Sequence, residues 1–338
     1  MASYLIRTQA VHGLLALVSE LGGNADELCR EAGIEPAELS DPNRYISHPA
    51  FVDMLERAAT ELNCPTFGLR LLDRQDFSVT GPIALATQHA NDLREALDCA
   101  SRYIHVQGNA WHLSVLPHFD PRRVVVTLDL RFGAPVAARQ QTELAVGILL
   151  KALQMLTGDE CAPLHILMPH ERIVPMSHYE SRFPCPVLFG QPLAGIVIPR
   201  KDMRLPVRPD HKNLAAAALA YLESQYGPGE VSLRDRVRSM LRPLLATGRC
   251  TNQQVAYRLA MHSRTLHRRL AREGASFEAL KDEARRELAT VLLAQSALSL
   301  TQVATALGYA EQSSFSRSCV RWFGASPRNV RQQLGKAV

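Results

Sequence analysis

The spacing of apolar residues is mixed in the first two-thirds of the chain and helical in the last third. Helical spacing occurs at 10–31, with a break at Gly22-Gly23, and at 49–62, 92–102 and 140–156. Segments 111–115 and 124–128 alternate or are β-branched, and the turn-rich stretch 117–122 between them predicts an antiparallel hairpin. Shorter segments at 165–168, 187–189 and 196–198 predict further strands. This region is therefore expected to be α+β with a small, mostly antiparallel sheet.

The remainder of the chain is expected to be all-α. A helix is predicted at 214–226, and Gly227-Pro228-Gly229 then interrupts the chain. Beyond this break every predicted element is a helix, at 232–245, 253–260, 264–272, 277–295, 301–307, 313–322 and 327–334. The fold class is thus an α+β N-terminal domain joined to a helical C-terminal domain.

A near-repeat is the most informative motif of the helical region. Gln-Val-Ala-x-x-Leu occurs at 254–259 and again at 302–307, 48 positions later. A Ser/Thr-x-x-Gln capping box opens each copy, at Thr251 and at Ser299, and fixes where its helix begins. A short turn follows each copy, and Gly308 suits the second turn because glycine adopts positive φ without strain. These features predict two helix–turn–helix motifs, the first at 251–272 and the second at 299–322, bridged by a long helix.

The second helix of each motif has one apolar face and one polar face. The inward residues are Leu266 and Leu270 in the first motif and Phe315, Cys319 and Trp322 in the second. The outward residues are Arg264, His267 and Arg268 in the first motif and Ser313, Ser314, Arg317 and Arg321 in the second. Arginine can contact guanine O6 and N7 together, and short polar side chains can contact base edges or phosphates. These two helices are therefore predicted to read DNA, with Arg268 and Arg317 at equivalent positions.

The long helix at 277–295 sets the spacing of the two motifs. About 19 residues at ~1.5 Å each give a length of roughly 28 Å. One turn of DNA is about 34 Å long. The two recognition helices are therefore expected to enter successive major grooves on one face of the duplex.

Charge is divided unevenly between the two domains. From Pro228 to Val338 there are 18 Lys and Arg and 8 Asp and Glu residues, a net charge of +10. The rest of the chain has 20 basic and 25 acidic residues, a net charge of −5. A basic domain attached to a mildly acidic body is typical of a protein in which one domain contacts a polyanion and the other has a separate role.

The region 251–331 resembles the AraC/XylS family of bacterial transcription regulators. The resemblance rests on Leu-Gly-Tyr-Ala-Glu-Gln-Ser-Ser-Phe-Ser-Arg at 307–317, Arg-Trp-Phe-Gly-Ala-Ser-Pro at 321–327, and the segments 263–270 and 284–289. It implies base-reading positions at Arg264, His267, Arg268, Gln312, Ser313, Ser314 and Arg317. The sequence departs from the family pattern at Ala260, His262, Cys319 and Val320.

Segments 67–71, 81–84, 93–97 and 183–189 resemble the non-cupin, arabinose-binding-like domain of ornithine-utilisation and virulence regulators. This label does not imply that arabinose binds. The resemblance implies a cytoplasmic homodimeric regulator, more often an activator, that works on double-stranded promoter DNA with RNA polymerase and responds to a small-molecule effector. The expected domains are an effector-sensing and dimerisation domain at 1–210, a linker helix and break at 211–228, and an AraC-type DNA-binding domain at 229–338.

Other chemistry has little support in the sequence. The chain contains no G-x-G-x-x-G, P-loop, G-x-S-x-G or H-E-x-x-H motif, so no enzyme activity and no cofactor are predicted. A loose group of possible ligands does not match the spacing of any metal site: Cys161, His165, His170, Glu171 and His178. Seven scattered cysteines indicate a reducing compartment. The absence of an 18-residue apolar run and of a signal-peptide pattern predicts no membrane association.

Four residues are candidates for lining a ligand cavity in the N-terminal domain, and equally for ordinary core positions: Tyr103, His105, Trp111 and His112. Two alternative functions stay open. One is a metabolite-sensing or enzymatic N-terminal domain tethered to DNA. The other is a nucleoid-type protein that binds DNA by charge alone, with a steep salt dependence and no sequence preference.

Overall fold

The computed structural model describes residues 4–118, 120–132, 137–191, 193–208, 212–226, 233–246, 250–259, 261–294 and 298–334. The chain divides into two compact units, the N-terminal unit Met1–Gly229 and the C-terminal unit Glu230–Val338. Within the described ranges, no helix is both long and apolar enough to cross a bilayer.

The N-terminal unit combines strands and helices, as predicted. Its strands are β1 Leu5–Arg7, β2 Tyr45–Ser47, β3 Trp111–Pro117, β4 Arg123–Leu130, β5 His165–Leu167, β6 Val187–Leu188 and β7 Gly195–Pro199. Its α-helices are α1 Leu14–Glu20, α2 Ala25–Glu31, α3 His48–Glu61, α4 Phe67–Leu72, α5 Pro82–Ala86, α6 Leu93–Gln107, α7 Arg139–Thr157, α8 Ser177–Glu180 and α9 Lys212–Tyr226. Short 3₁₀ segments occur at Thr8–Val11, Pro36–Ser40, Phe77–Thr80, Thr87–His89 and Arg200–Arg204.

The main sheet has the order β3-β4-β7-β5-β6. All neighbouring strands are antiparallel except β5 and β6, which confirms the predicted small and mostly antiparallel sheet. The predicted hairpin is also confirmed, with Val115 opposite Val126. Because side chains alternate along a strand, Val126 enters the core shared with the helices, whereas Val125 belongs to a small cluster on the other face.

The structure adds two features that the sequence pattern did not predict. Strands β1 and β2 form a separate antiparallel pair, and three residues are too few to show an alternation. Helix α4 lies very close to α7, where a Cβ at Gly68 would overlap the carbonyl oxygen of Gln140. The Gly68 N–H instead donates to Gln140 Oε1 at 2.7 Å. Glycine at this position therefore permits the two helices to approach.

Helix α9 packs against α5 within the N-terminal unit. Ala215, Ala218 and Leu222 form its buried face. This helix lies within the predicted linker at 211–228, and the predicted break after it lies outside the described residues.

The C-terminal unit is helical in the order predicted. Its helices are α10 Leu233–Ala246, α11 Asn252–Arg258, α12 Ser263–Arg272, α13 Phe277–Ala294, α14 Leu300–Ala306, α15 Gln312–Phe323 and α16 Pro327–Leu334. Ala260 and Gln295, the predicted last residues of two of these helices, lie outside the described residues.

Helix α13 belongs to two hydrophobic cores. Its first half, including Phe277 and Leu280, packs with the residues of α10, α11 and α12. Its second half, including Leu288 and Leu292, packs with α14, α15 and α16. The two motifs are therefore built as separate small cores on one shared helix.

Candidate nucleic-acid interface

Caps fix the first helix of each motif. The Thr251 hydroxyl accepts a hydrogen bond from the Gln254 N–H at 3.2 Å. The Ser299 hydroxyl accepts from the Gln302 N–H at 3.1 Å, and Gln302 Oε1 accepts from the Ser299 N–H at 2.8 Å. Ser299 and Gln302 thus form the complete capping box predicted for the second motif. These bonds pair amides that a helix start otherwise leaves unsatisfied.

Helix α12 presents a free basic face. Leu266 and Leu270 are fully buried, as predicted. Arg264, His267 and Arg268 are exposed. In the described part of the chain, no hydrogen bond or ion pair engages these three side chains. They are therefore available to a ligand along one side of the helix.

His262 begins helix α12. Its Nδ1 accepts a hydrogen bond from the Arg264 N–H at 3.3 Å. A serine is common at this position in the family pattern, and the imidazole nitrogen supplies the same kind of acceptor. His262 therefore departs from the family pattern but still caps the start of α12.

Helix α15 packs through the inward stripe that the sequence predicted. Phe315 and Cys319 are fully buried and Trp322 is half-buried. Burial raises the pKa of the Cys319 thiol to about 11, which keeps this core thiol protonated at neutral pH. The Tyr309 hydroxyl donates to Ser318 Oγ at 2.8 Å and so joins the turn to the helix.

Three outward residues of α15 are held by neighbours. The Thr301 hydroxyl of α14 donates to Gln312 Oε1 at 2.9 Å, so the two helices of the second motif are connected at this side chain. Arg317 Nη2 donates to Ser314 Oγ at 3.1 Å. Ser313 and Arg317 are exposed, and Ser314 is half-buried. The outward face of α15 is thus partly preorganised.

Arg321 forms an ion pair within the C-terminal unit. Its Nη2 contacts Asp282 Oδ1 of α13, although the side chain is exposed. Trp322 Nε1 donates to the other oxygen of Asp282 at 2.9 Å. Arg321 is one of the predicted outward residues of α15, and in the structure it also has a partner on the bridging helix.

Arg285 of α13 forms hydrogen bonds with the turn of the second motif. Its Nε donates to the Leu307 carbonyl at 3.0 Å and its Nη2 to the Gly308 carbonyl at 2.9 Å. The guanidinium carbon also lies 4.2 Å from the centroid of the Tyr309 ring. Gly308 has φ of 69°, which agrees with its predicted role in the turn. In the sequence, Arg285 is recognisable only as part of the family-like segment 284–289, because its partners are more than 20 residues away.

Charged residues connect α10 to α13 and to Glu273, which follows α12. Arg238 pairs with Glu283 at 3.4 Å and with Glu287. The Glu273 carboxylate accepts from the Leu233 N–H at 3.1 Å and the Arg234 N–H at 2.9 Å, and so caps α10. Helix α10, which packs in the core of the first motif, is therefore bonded both to the bridging helix and to the residue that follows α12.

The four ligand candidates of the N-terminal unit do not come together at one site. Trp111 lines an apolar cavity, whose other lining residues do not include Tyr103, His105 or His112. Tyr103 is fully buried, and His105 and His112 are half-buried. Burial lowers the pKa of His105. Gln107 and Gln141 also line the cavity, and no sequence signal distinguished them from surface glutamines.

The loose group around His170 has no metal-binding arrangement. His170 Nε2 lies 3.5 Å from Glu143 Oε1, and the Tyr179 hydroxyl donates to the same oxygen at 2.8 Å. Burial raises the pKa of Glu143 to about 7. Over the described ranges, no three His, Cys, Asp or Glu side chains are placed so that they hold a metal ion.

Two family matches cover the two units. Residues 22–207 match the family described as the N-terminal arabinose-binding domain of AraC transcription regulators, and residues 255–333 match a helix-turn-helix domain family. The chain is 36% identical to the HTH-type transcriptional regulator VirS of Mycobacterium tuberculosis, over 98% of this chain and 97% of VirS. It is 26% identical to the ornithine utilization regulator of Pseudomonas aeruginosa, over 97% of this chain and 96% of that protein.

The crystal structure of the transcriptional regulator CdpR from Pseudomonas aeruginosa aligns with 90% of this chain and 96% of its own, at 24% identity and a TM-score of 0.44. The family membership rests on the sequence matches, one of which spans more than half of the chain. Together with the two motifs described above, these matches show that the chain belongs to the AraC family of DNA-binding transcription regulators.

Proposed function

We propose that this regulator reads two successive major-groove segments of promoter DNA, with α12 and α15 as its recognition helices. The observation that carries the proposal is that both motifs pack on one helix, α13. This helix has 18 residues, so its length is about 27 Å at ~1.5 Å per residue. That length is comparable with the ~34 Å turn of a DNA duplex.

The proposed contacts follow from the position of each side chain. Arg268 and Arg317 contact guanine bases in the two segments, because arginine pairs with guanine through two hydrogen bonds. Flanking contacts to base edges and phosphates are assigned to Arg264, His267, Gln312, Ser313 and Ser314. Arg321 leaves its ion pair with Asp282 and pairs with a phosphate of the DNA instead.

Tyr257 is proposed as a further phosphate contact, and no sequence motif indicates it. Its side chain is 85% exposed on α11, an unusual position for an aromatic residue. In helix–turn–helix proteins the first helix crosses the DNA backbone. The tyrosine hydroxyl can donate to a phosphate oxygen from there.

The N-terminal unit is proposed to form a homodimer. Leu214 and Tyr221 are both 49% exposed on α9. They are seven residues apart and therefore share one face of the helix. An exposed apolar pair of this kind favours a partner helix, and a second copy of this chain places two more motifs on the DNA.

The regulatory role follows from family membership. We infer a bacterial cytoplasmic activator that recruits RNA polymerase and responds to a small effector bound by the N-terminal unit. The relatives are regulators, and the exposed side chains of α12 and α15 offer contacts for DNA.

The test is a selection from random duplex DNA with the full chain at about 150 mM salt, the range in which charge-only binding weakens strongly. Two enriched sequence blocks about one helical turn apart are expected. A single block would contradict the double reader. No enrichment, together with a steep salt dependence, would indicate binding by charge alone.

A further inference from the structure

Helix α15 carries one exposed apolar side chain among polar ones. Val320 is 54% exposed. The other exposed residues of this helix are polar or charged, namely Gln312, Ser313, Arg317 and Arg321. A single exposed apolar residue is ordinary on a protein surface, so exposure alone gives Val320 no role. Its position on the helix and its neighbours there distinguish it.

Val320 lies on the face of α15 that points away from the core. Ser313, Arg317 and Val320 are at i, i+4 and i+7, and they therefore share one side of the helix. Phe315 and Cys319 are fully buried, and at about 100° per residue their side chains point to the opposite side. Val320 thus belongs to the same outward face as Arg317, which is proposed to contact guanine.

The Val320 side chain is stiff before any ligand binds. Its carbonyl accepts from the Gly324 N–H at 2.9 Å, so helical hydrogen bonding continues through Val320, and the helix ends at Gly324. A β-branched side chain in a helix has one strongly preferred χ1 rotamer, so contact with a ligand immobilises little. Valine is also a poorer helix former than lysine, glutamine or glutamate. Helix stability therefore does not account for valine at this exposed site.

In the major groove, thymine is distinguished by its 5-methyl group, and apolar side chains recognise that group. Three residues along a helix correspond to ~4.5 Å, and successive base pairs of DNA are ~3.4 Å apart. We propose that Val320 contacts the 5-methyl group of a thymine about one or two base pairs from the guanine that Arg317 contacts. The inference rests on the proposed function and adds to it an apolar contact that selects thymine in the second block.

The experiment replaces each thymine of the selected site by deoxyuridine, one at a time, and measures the affinity of the full chain by competition. Deoxyuridine pairs as thymine does and lacks only the 5-methyl group. One position of the second block is expected to lose about fourfold in affinity, the effect of removing one buried methyl group. The thymines of the first block are the matched control, because α12 and not α15 is proposed to contact them.

Val320→Ala should bind the thymine site about fourfold more weakly than the unaltered chain does. It should bind the deoxyuridine and thymine forms of that position equally, because the two changes remove the same contact. Its response at the first-block thymines should be unchanged. The substitution removes no buried group, so the variant is expected to fold.

A scan that finds no sensitive thymine in the second block would overturn the inference. It would also be overturned if Val320→Ala kept the full sensitivity to deoxyuridine, since another residue would then contact the methyl group. Either result leaves the two enriched blocks, and so the proposed function, intact. Absence of any enriched block would contradict the proposed function and this inference together.

Discussion

The two helix–turn–helix motifs share an order of elements but hold their outward side chains differently. On α12, Arg264 and Arg268 are exposed and make no side-chain hydrogen bond or ion pair with any described residue. On α15, Gln312 is bonded to Thr301 and Arg317 to Ser314, whereas Arg321 is paired with Asp282 and must leave that partner to reach a phosphate. Immobilising a flexible side chain on binding costs about 0.5–1.5 kcal/mol. Under the proposed function, the first motif is therefore the more adaptable of the two, and the second is partly preorganised.

The largest expected effect tests whether the motifs are separate cores. Phe315→Ala should destabilise the C-terminal unit by about 3–5 kcal/mol and Leu266→Ala by about 2–5 kcal/mol, because both side chains are fully buried. Hydrogen exchange should show lost protection in α14 and α15 for the first variant and in α11 and α12 for the second. Val320→Ala, at a side chain that is 54% exposed, is the control. Equal loss across both motifs would indicate one cooperative core.

Replacing the arginines at equivalent positions should show which sequence block each motif contacts. Arg268→Ala and Arg317→Ala should each cost about 1–3 kcal/mol in DNA binding and relax preference at one base position, in different sequence blocks. Arg272→Ala is the matched control, an exposed arginine at the other end of α12. Competition binding with single-base variants of the selected site provides the measurement. Loss of affinity that is uniform over all sequences would assign these arginines to phosphates.

The preorganisation of α15 can be weakened without changing a DNA-contacting residue. Thr301→Val removes the hydroxyl that holds Gln312 and should cost about 0.5–1.5 kcal/mol of affinity, confined to the second block. Thr305→Val removes a hydroxyl from the same helix that bonds only the Thr301 carbonyl, and should change little. If both variants bind as the unaltered chain does, the Thr301 contact has no part in recognition.

The smallest effect concerns the pair between Arg321 and Asp282. Asp282→Asn keeps an oxygen that accepts from Trp322 but removes the negative charge that pairs with Arg321, so the arginine is free to contact a phosphate. Exposed ion pairs contribute at most about 1 kcal/mol, so affinity should rise only severalfold and equally for all sequences. The plot of log affinity against log salt concentration should become steeper by about one unit, the change expected for one added phosphate contact. Glu278→Gln removes the same charge from an exposed carboxylate on α13, and a matching rise there would show a general charge effect.

Local features of the fold could be read from the sequence, and long-range contacts could not. The capping box at Ser299, the apolar stripe of Phe315 and Cys319, and the hairpin around Val126 depend on neighbours within a few residues or on a strict alternation. By contrast, the partners of Arg285 are 22 and 23 residues away and Asp282 is 39 residues from Arg321. Such contacts depend on the packing of whole helices, which no local period encodes.

The cavity of the N-terminal unit also combines a residue that the sequence indicates with residues that only the tertiary structure reveals. Trp111 is one of the four residues that the sequence offers as cavity or core positions, and it is the one that lines the cavity. Gln107 lies on α6 and Gln141 on α7, and although glutamine is usually exposed, the packing of these helices buries both side chains. Their burial is a property of the tertiary structure.

The most direct test of the central claim is the dependence of affinity on the distance between the two sequence blocks. The selected blocks would be placed in duplexes whose spacers differ by single base pairs, and the affinity of the full chain measured for each. Because α13 anchors both motifs, we expect one optimum near a helical turn, about 10 base pairs from centre to centre, and a steep loss two base pairs to either side. Equal affinity at all spacings would contradict the account, since it would show that the two motifs read DNA independently.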